Sequence, residues 1–171
     1  MNYSAAILSL YPDAVPLTDF VLSQPWGKPT EIIKWNSAKL GPQPTPAQLE
    51  TAWPAAQLQA AQTRQRAIIK SSFTAAANAN VTDASGIVWE GGAASGNSIF
   101  LACQLAQQMG TTSLTLYDAA KNAHSMTIAE GMSVAALIGA AYQVALGTKN
   151  SLNAQIAAAQ TVSAVQAVTW S

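Results

Sequence analysis

The chain has 171 residues, enough for one ordinary domain or a small domain with an appended arm. It carries 8 basic and 8 acidic residues, and charged side chains make up 9% of it, against roughly 25% in an average protein. Without a basic patch, electrostatic nucleic-acid binding has no support, and a neutral surface of Ala, Gln, Asn, Ser and Thr suits a protein that works inside an assembly.

Residues 1–44 alternate short apolar runs with breakers and hold six of the eight prolines (12, 16, 25, 29, 42 and 44). That spacing forbids long helices and leaves Val21/Leu22 and Ile32/Ile33 with Trp35 as short strands. So few residues make a weak core alone, so the segment reads as a Pro-rich arm that packs on something else. The start reads without a basic region, apolar core and cleavage site, so no signal peptide is expected.

Thr45, Pro46 and Gln48 form a helix start: Thr45 caps, Pro46 fits the first turn and Gln48 completes a capping box. The helix is expected to run to about Asn78, with Pro54 kinking it or restarting it at Thr51. Arg64, Arg66 and Lys70 read as its solvated face.

Next comes Gly86-Ile87-Val88-Trp89-Glu90-Gly91-Gly92-Ala93-Ala94-Ser95-Gly96-Asn97-Ser98, a strand, a glycine-rich turn and a helix start. A phosphate loop has this layout, but it needs a lysine after its second glycine. Asn97 stands there, and no Lys or Arg lies between Lys70 and Lys121. The stretch therefore reads as a tight connection in which Ser95 or Asn97 caps a helix running to Met109. Cys103, the single cysteine, lies on that helix as a buried, inert thiol.

Ser113–Tyr117 and His124–Ile128 alternate as the two strands of a hairpin around Asp118 and Asn122. Thr127 and Glu130 form a second capping box. The helix after it carries an uncharged stretch, Gly131–Gly147, which falls short of a membrane span and reads as a buried amphipathic helix. Gly147 bends it, and a further helix carries Leu152 and Ile156.

No constellation points to chemistry. His124 is the only histidine, there is no nucleophile elbow, and one His and one Cys cannot build a typical zinc site. Asp118 and Asn122 lack the other ligands of a calcium loop. Asp83 and Glu90 could serve as paired carboxylates only if a cleft joined them. No catalytic, metal or cofactor residues are expected. The five tryptophans (26, 35, 53, 89 and 170) read either as core anchors or as partner contacts. Trp26, Trp35 and Phe20 in the arm are the partner-binding candidates.

From about Arg64 to Trp170 the chain resembles the DUF4376 family of phage and prophage tail-fibre loci. The resemblance rests on Thr63-Arg64-Gln65-Arg66, Trp89-Glu90-Gly91-Gly92, Ser98-Ile99-Phe100, the Asp118/Asn122 hairpin, His124 to Thr127, Ile156-Ala157-Ala158-Ala159 and Val168-Thr169-Trp170. Residues 1–60 look like a leader of phage tail proteins through Ile33-Lys34-Trp35-Asn36, Leu40 to Thr45 and Gln48-Leu49.

The resemblance implies a non-enzymatic tail-fibre-associated protein, an assembly chaperone that binds the fibre. The alternatives are a permanent fibre or baseplate component, and a receptor- or glycan-binding or -cleaving module at a fibre tip. The implied partner is a trimeric tail-fibre protein or a baseplate protein, with self-association also expected and no membrane or nucleic acid. The implied location is the host cytoplasm during assembly, and the virion tail if the protein stays attached. The expected fold is α+β: the arm (1–44), a long kinked linking helix (45–79), and a compact domain (80–171) in which a small antiparallel sheet packs on about three helices.

Overall fold

The computed structural model describes all 171 residues. It is α+β, with helices and antiparallel strand pairs along one chain. The chain divides into two compact units, Met1–Gln65 with Ala158–Ala167, and Arg66–Ala157 with Val168–Ser171. The division falls inside the long helix rather than at its ends.

The first unit begins with α1 (Tyr3–Leu10), capped by Asn2. β1 (Phe20–Ser23) and β2 (Glu31–Trp35) pair antiparallel, with a register shift at Val21/Leu22. A short α2 (Ser37–Leu40) follows, then the start of α3 (Pro46–Ala77). The Pro-rich segment thus folds on itself, around Ala6, Ile7, Ala14, Phe20 and Leu49. Its own apolar residues are too few for a core, and α3 makes up the shortfall with Leu49 and Trp53. Asp19 ties the loops together. Its buried carboxylate accepts from the Val15 amide (2.8 Å), Asn36 Nδ2 (3.1 Å) and Lys39 Nζ (2.6 Å). The Lys39 and Val15 bonds hold its pKa below the usual carboxylate value.

Both capping boxes form. Thr45 N donates to Gln48 Oε1 at 2.8 Å, and Thr127 N to Glu130 Oε2 at 2.7 Å. Pro54 does not restart the helix: α3 runs through it, and Thr51 Oγ1 donates back to the Ala47 carbonyl instead of capping.

In the second unit, β3 (Val81–Thr82) pairs with β4 (Val88–Trp89), and α4 (Ala93–Gln108) follows. β5 (Ser113–Tyr117) and β6 (Ala123–Thr127) form the expected hairpin, and α5 (Ile128–Ala158) leaves it directly. Each strand pair is its own two-stranded sheet. The core joins Trp89, Leu116, Val134 and Ile138, with Val81, Ile87, Ile99, Leu114 and Met126 around them.

Small residues let α4 and α5 approach. A Cβ on Gly96 would meet Ile138 Cγ2 at 3.2 Å, and one on Gly131 would meet Cys103 Sγ at 2.6 Å. Gly147 does not end α5, which continues to Ala158; by length and composition it could cross a membrane, yet it packs Gly131, Val134, Ala135, Ile138, Ala145, Leu152 and Ile156 inward. Leu152 and Ile156, expected on a further helix, therefore lie on α5 itself; the helix that follows, α6 (Val162–Gln166), is a separate short one, capped by Thr161 and in the first unit.

The glycine-rich turn departs from the sequence expectation. α4 starts at Ala93 with Gly92 (φ 98°) as its cap, and neither Ser95 nor Asn97 caps it. The turn lies hard against the end of α3: a Cβ on Gly91 would sit 1.9 Å from the Ala79 carbonyl oxygen. Gly91→Ala is therefore expected to cost roughly 3 kcal/mol or more by denaturant unfolding. Gly147→Ala, into open space on α5, is expected to add about 0.5–1 kcal/mol.

Candidate functional site

The polar residues singled out in the sequence meet around Trp89. Its ring is fully buried, and its Nε1 donates to Asp83 Oδ2 at 2.8 Å. Asp83 Oδ1 accepts from Ser85 N (2.9 Å), Ser85 Oγ (2.6 Å) and Ile87 N (3.0 Å). The Ser85 and Trp89 bonds lower its pKa to about 2.

His124 packs edge-on against Trp89, with centroids 5.6 Å apart, and its Nε2 lies 3.0 Å from Asp118 Oδ2. Asp118 accepts only, so this nitrogen carries the proton. Asn122 adds two more donors to Asp118, from its amide at 2.8 Å and its Nδ2 at 3.0 Å. The His124 and Asn122 bonds push the Asp118 pKa far below the carboxylate range. The spacing of Asp118 and Asn122 revealed the turn; nothing in the sequence revealed that His124 would join it to Trp89.

Glu90 pairs with Lys121 across an exposed surface, where such a pair adds little stability. The carboxylate that shares a cleft with Asp83 is Glu130, not Glu90; the cleft has about 380 Å³ and is also lined by Ser85, Met126 and Ser133. Glu130 is lowered too, by its cap bonds to Thr127. Burial raises the Cys103 thiol. No three His, Cys, Asp or Glu side chains are grouped to hold a metal ion. An uncharged groove of about 720 Å³ runs between α4 and α5, lined by Gly96, Phe100, Ala135, Gly139 and Tyr142 among others.

The three partner candidates separate. Phe20 is 2% exposed and belongs to the core of the first unit. Trp35 is half-buried, edge-on to Tyr11 at 5.1 Å, and its Nε1 donates to the Gly41 carbonyl at 2.8 Å. Both are held by contacts within their own unit.

Trp26 is fully exposed. It stands at the tip of the β1–β2 hairpin, in a turn closed by Lys28 N to the Pro25 carbonyl at 3.0 Å. Gly27 follows it with φ 72°, the positive value a type II turn needs at its third residue. Ile33, on β2, is also exposed.

A family model described as XkdW protein matches residues 3–61. The protein is phage-related. The matched stretch is about a third of the chain. It takes in α1, the β1–β2 hairpin with Trp26, α2 and the first half of α3. No curated protein and no solved structure matches the chain.

The Asp118 network carries a pH signature. A carboxylate whose folded pKa is depressed stabilises the fold above its unfolded value, near pH 4, and loses that contribution as the pH falls toward the folded value. Asp118→Asn is expected to lower Tm at neutral pH, with the gap to the unsubstituted protein closing below about pH 4. Thermal unfolding at several pH values checks this, and a gap that stays constant in acid counts against it.

Proposed function

We propose that this phage-related protein is a non-enzymatic, tail-fibre-associated factor that binds the fibre protein through the hairpin tip at Trp26 and assists its assembly. The observation that carries the reading is Trp26 itself, a large aromatic side chain wholly in solvent on an ordered turn, inside the stretch that matches a phage family. Interface hot spots are enriched in Trp, and a pre-ordered turn lowers the entropy cost of binding. The likeness of residues 64–170 to the DUF4376 family supports the tail-fibre setting.

The chemistry around the carboxylates supports binding over catalysis. A glycan-cleaving pair needs one carboxyl held protonated and one ionised. Asp83 and Glu130, which share a cleft, are both shifted downward and both committed to hydrogen bonds within their own loop or cap. The α4–α5 groove holds Tyr142 and no charged side chain.

Co-expression with the tail-fibre protein of the same phage tests the reading. The protein is expected to co-purify with the fibre and raise its soluble yield, and Trp26→Ala to weaken capture at least tenfold with Tm unchanged. Capture unaffected by Trp26→Ala sinks the role of the hairpin tip. Mass spectrometry of purified virions separates a chaperone, absent from the particle, from a permanent fibre or baseplate component, present at fibre stoichiometry.

A further inference from the structure

We propose that the outer face of α4 is a self-association surface that pairs with the same face of a second copy about a two-fold axis. This rests on the second unit alone and is independent of the Trp26 reading. α4 is apolar on two opposite sides. Gly96, Ile99, Cys103 and Ala106 face the interior, as the burial pattern along the helix shows. On the far side Leu101, Leu105 and Met109 are 61%, 58% and 70% exposed. Ala94, Ser98, Leu101, Leu105 and Gln108 follow one another at intervals of four and three residues, the repeat that keeps one seam facing a partner helix. Large apolar side chains grouped on an exposed face mark a contact surface.

Charge selects the occupant. From Gly91 to Tyr117 the chain has no Asp, Glu, Lys or Arg. Two copies of this face meet without like-charge repulsion, and an isologous contact requires a patch that tolerates itself. The face also offers no charge by which a differently charged partner would be selected.

Area fits a modest dimer. Two exposed leucines and a methionine make a small patch beside the ~800 Å² that a stable interface hides on each partner. The exposed Ala94, Ser98, Ala102 and Gln108 beside them extend the patch. Weak, concentration-dependent self-association is expected rather than an obligate dimer.

Sedimentation of the full chain across a concentration series is the test. A monomer–dimer equilibrium is expected, abolished by the double substitution Leu101→Glu/Leu105→Glu, with circular dichroism and Tm retained because both side chains are exposed. Leu101 lies near the middle of the stripe, so it meets its own copy whether the helices run parallel or antiparallel. Leu101→Cys is therefore expected to give a disulfide-linked dimer under mild oxidation, and much less of it when Leu105→Glu is added; this readout stands even if the double variant misfolds. A chain that stays monomeric to several hundred micromolar, or a dimer indifferent to these substitutions, overturns the proposal. So does a closed ring larger than two, or a stripe that captures only a foreign protein.

Discussion

The second unit depends on how Trp89 is buried. An indole hides a large apolar area, but its N–H must keep a hydrogen-bond partner when water is removed. Asp83 supplies that partner from the loop between β3 and β4, and the loop is in turn folded around the same carboxylate by Ser85 and Ile87. One anion thus satisfies a tight turn and a buried ring together. The ring then serves as the floor for His124, whose bond to Asp118 holds the β5–β6 turn, and the Ala119 amide closes the arrangement by donating to the Val88 carbonyl. Two hairpins that make separate sheets are joined by side chains rather than by a continuous ladder.

The first unit solves a similar problem with Asp19. Short strands and a two-turn helix have few backbone bonds to share, and six prolines remove donors from the segment. Asp19 compensates by accepting from an amide, an amide side chain and a lysine on different segments, while its own carbonyl accepts from Asn36 N at 2.7 Å. The aromatic cluster of Tyr11, Phe20 and Trp35 then closes over a core to which α3 contributes Leu49. Once Phe20 and Trp35 are used inward, Trp26 is the arm aromatic left fully in solvent.

The glycines of the central turn illustrate how one pattern serves two ends. A phosphate loop uses glycine so that backbone amides can reach an anion. In this chain Gly91 and Gly92 make room for the backbone and side chain at the end of α3, at Ala79 and Asn78. Glycine here serves the close approach of two backbone segments.

Local chemistry made much of the fold legible from sequence. Capping boxes at Thr45/Gln48 and Thr127/Glu130, alternation in Ser113–Tyr117 and turn residues at Asp118 and Asn122 act within a few residues, so they can be read along the chain. A restart at Pro54 and a separate helix after Gly147 did not follow, because a break signal is a local cost of about 1–3 kcal/mol, which packing on either side can outweigh; both helices run through. What tertiary structure alone decided was direction and partner. Trp26 and Trp35 look alike in sequence, yet one stands fully exposed at a hairpin turn while a core draws the other in. The apolar residues of α4 also look alike in sequence, and only the burial of Cys103 fixes which face is left for something else. Sequence by itself determined where elements begin and what charge the surface lacks, because those are properties of neighbours in the chain. Which side chains face solvent depends on contacts between distant segments, and that only the folded chain settles.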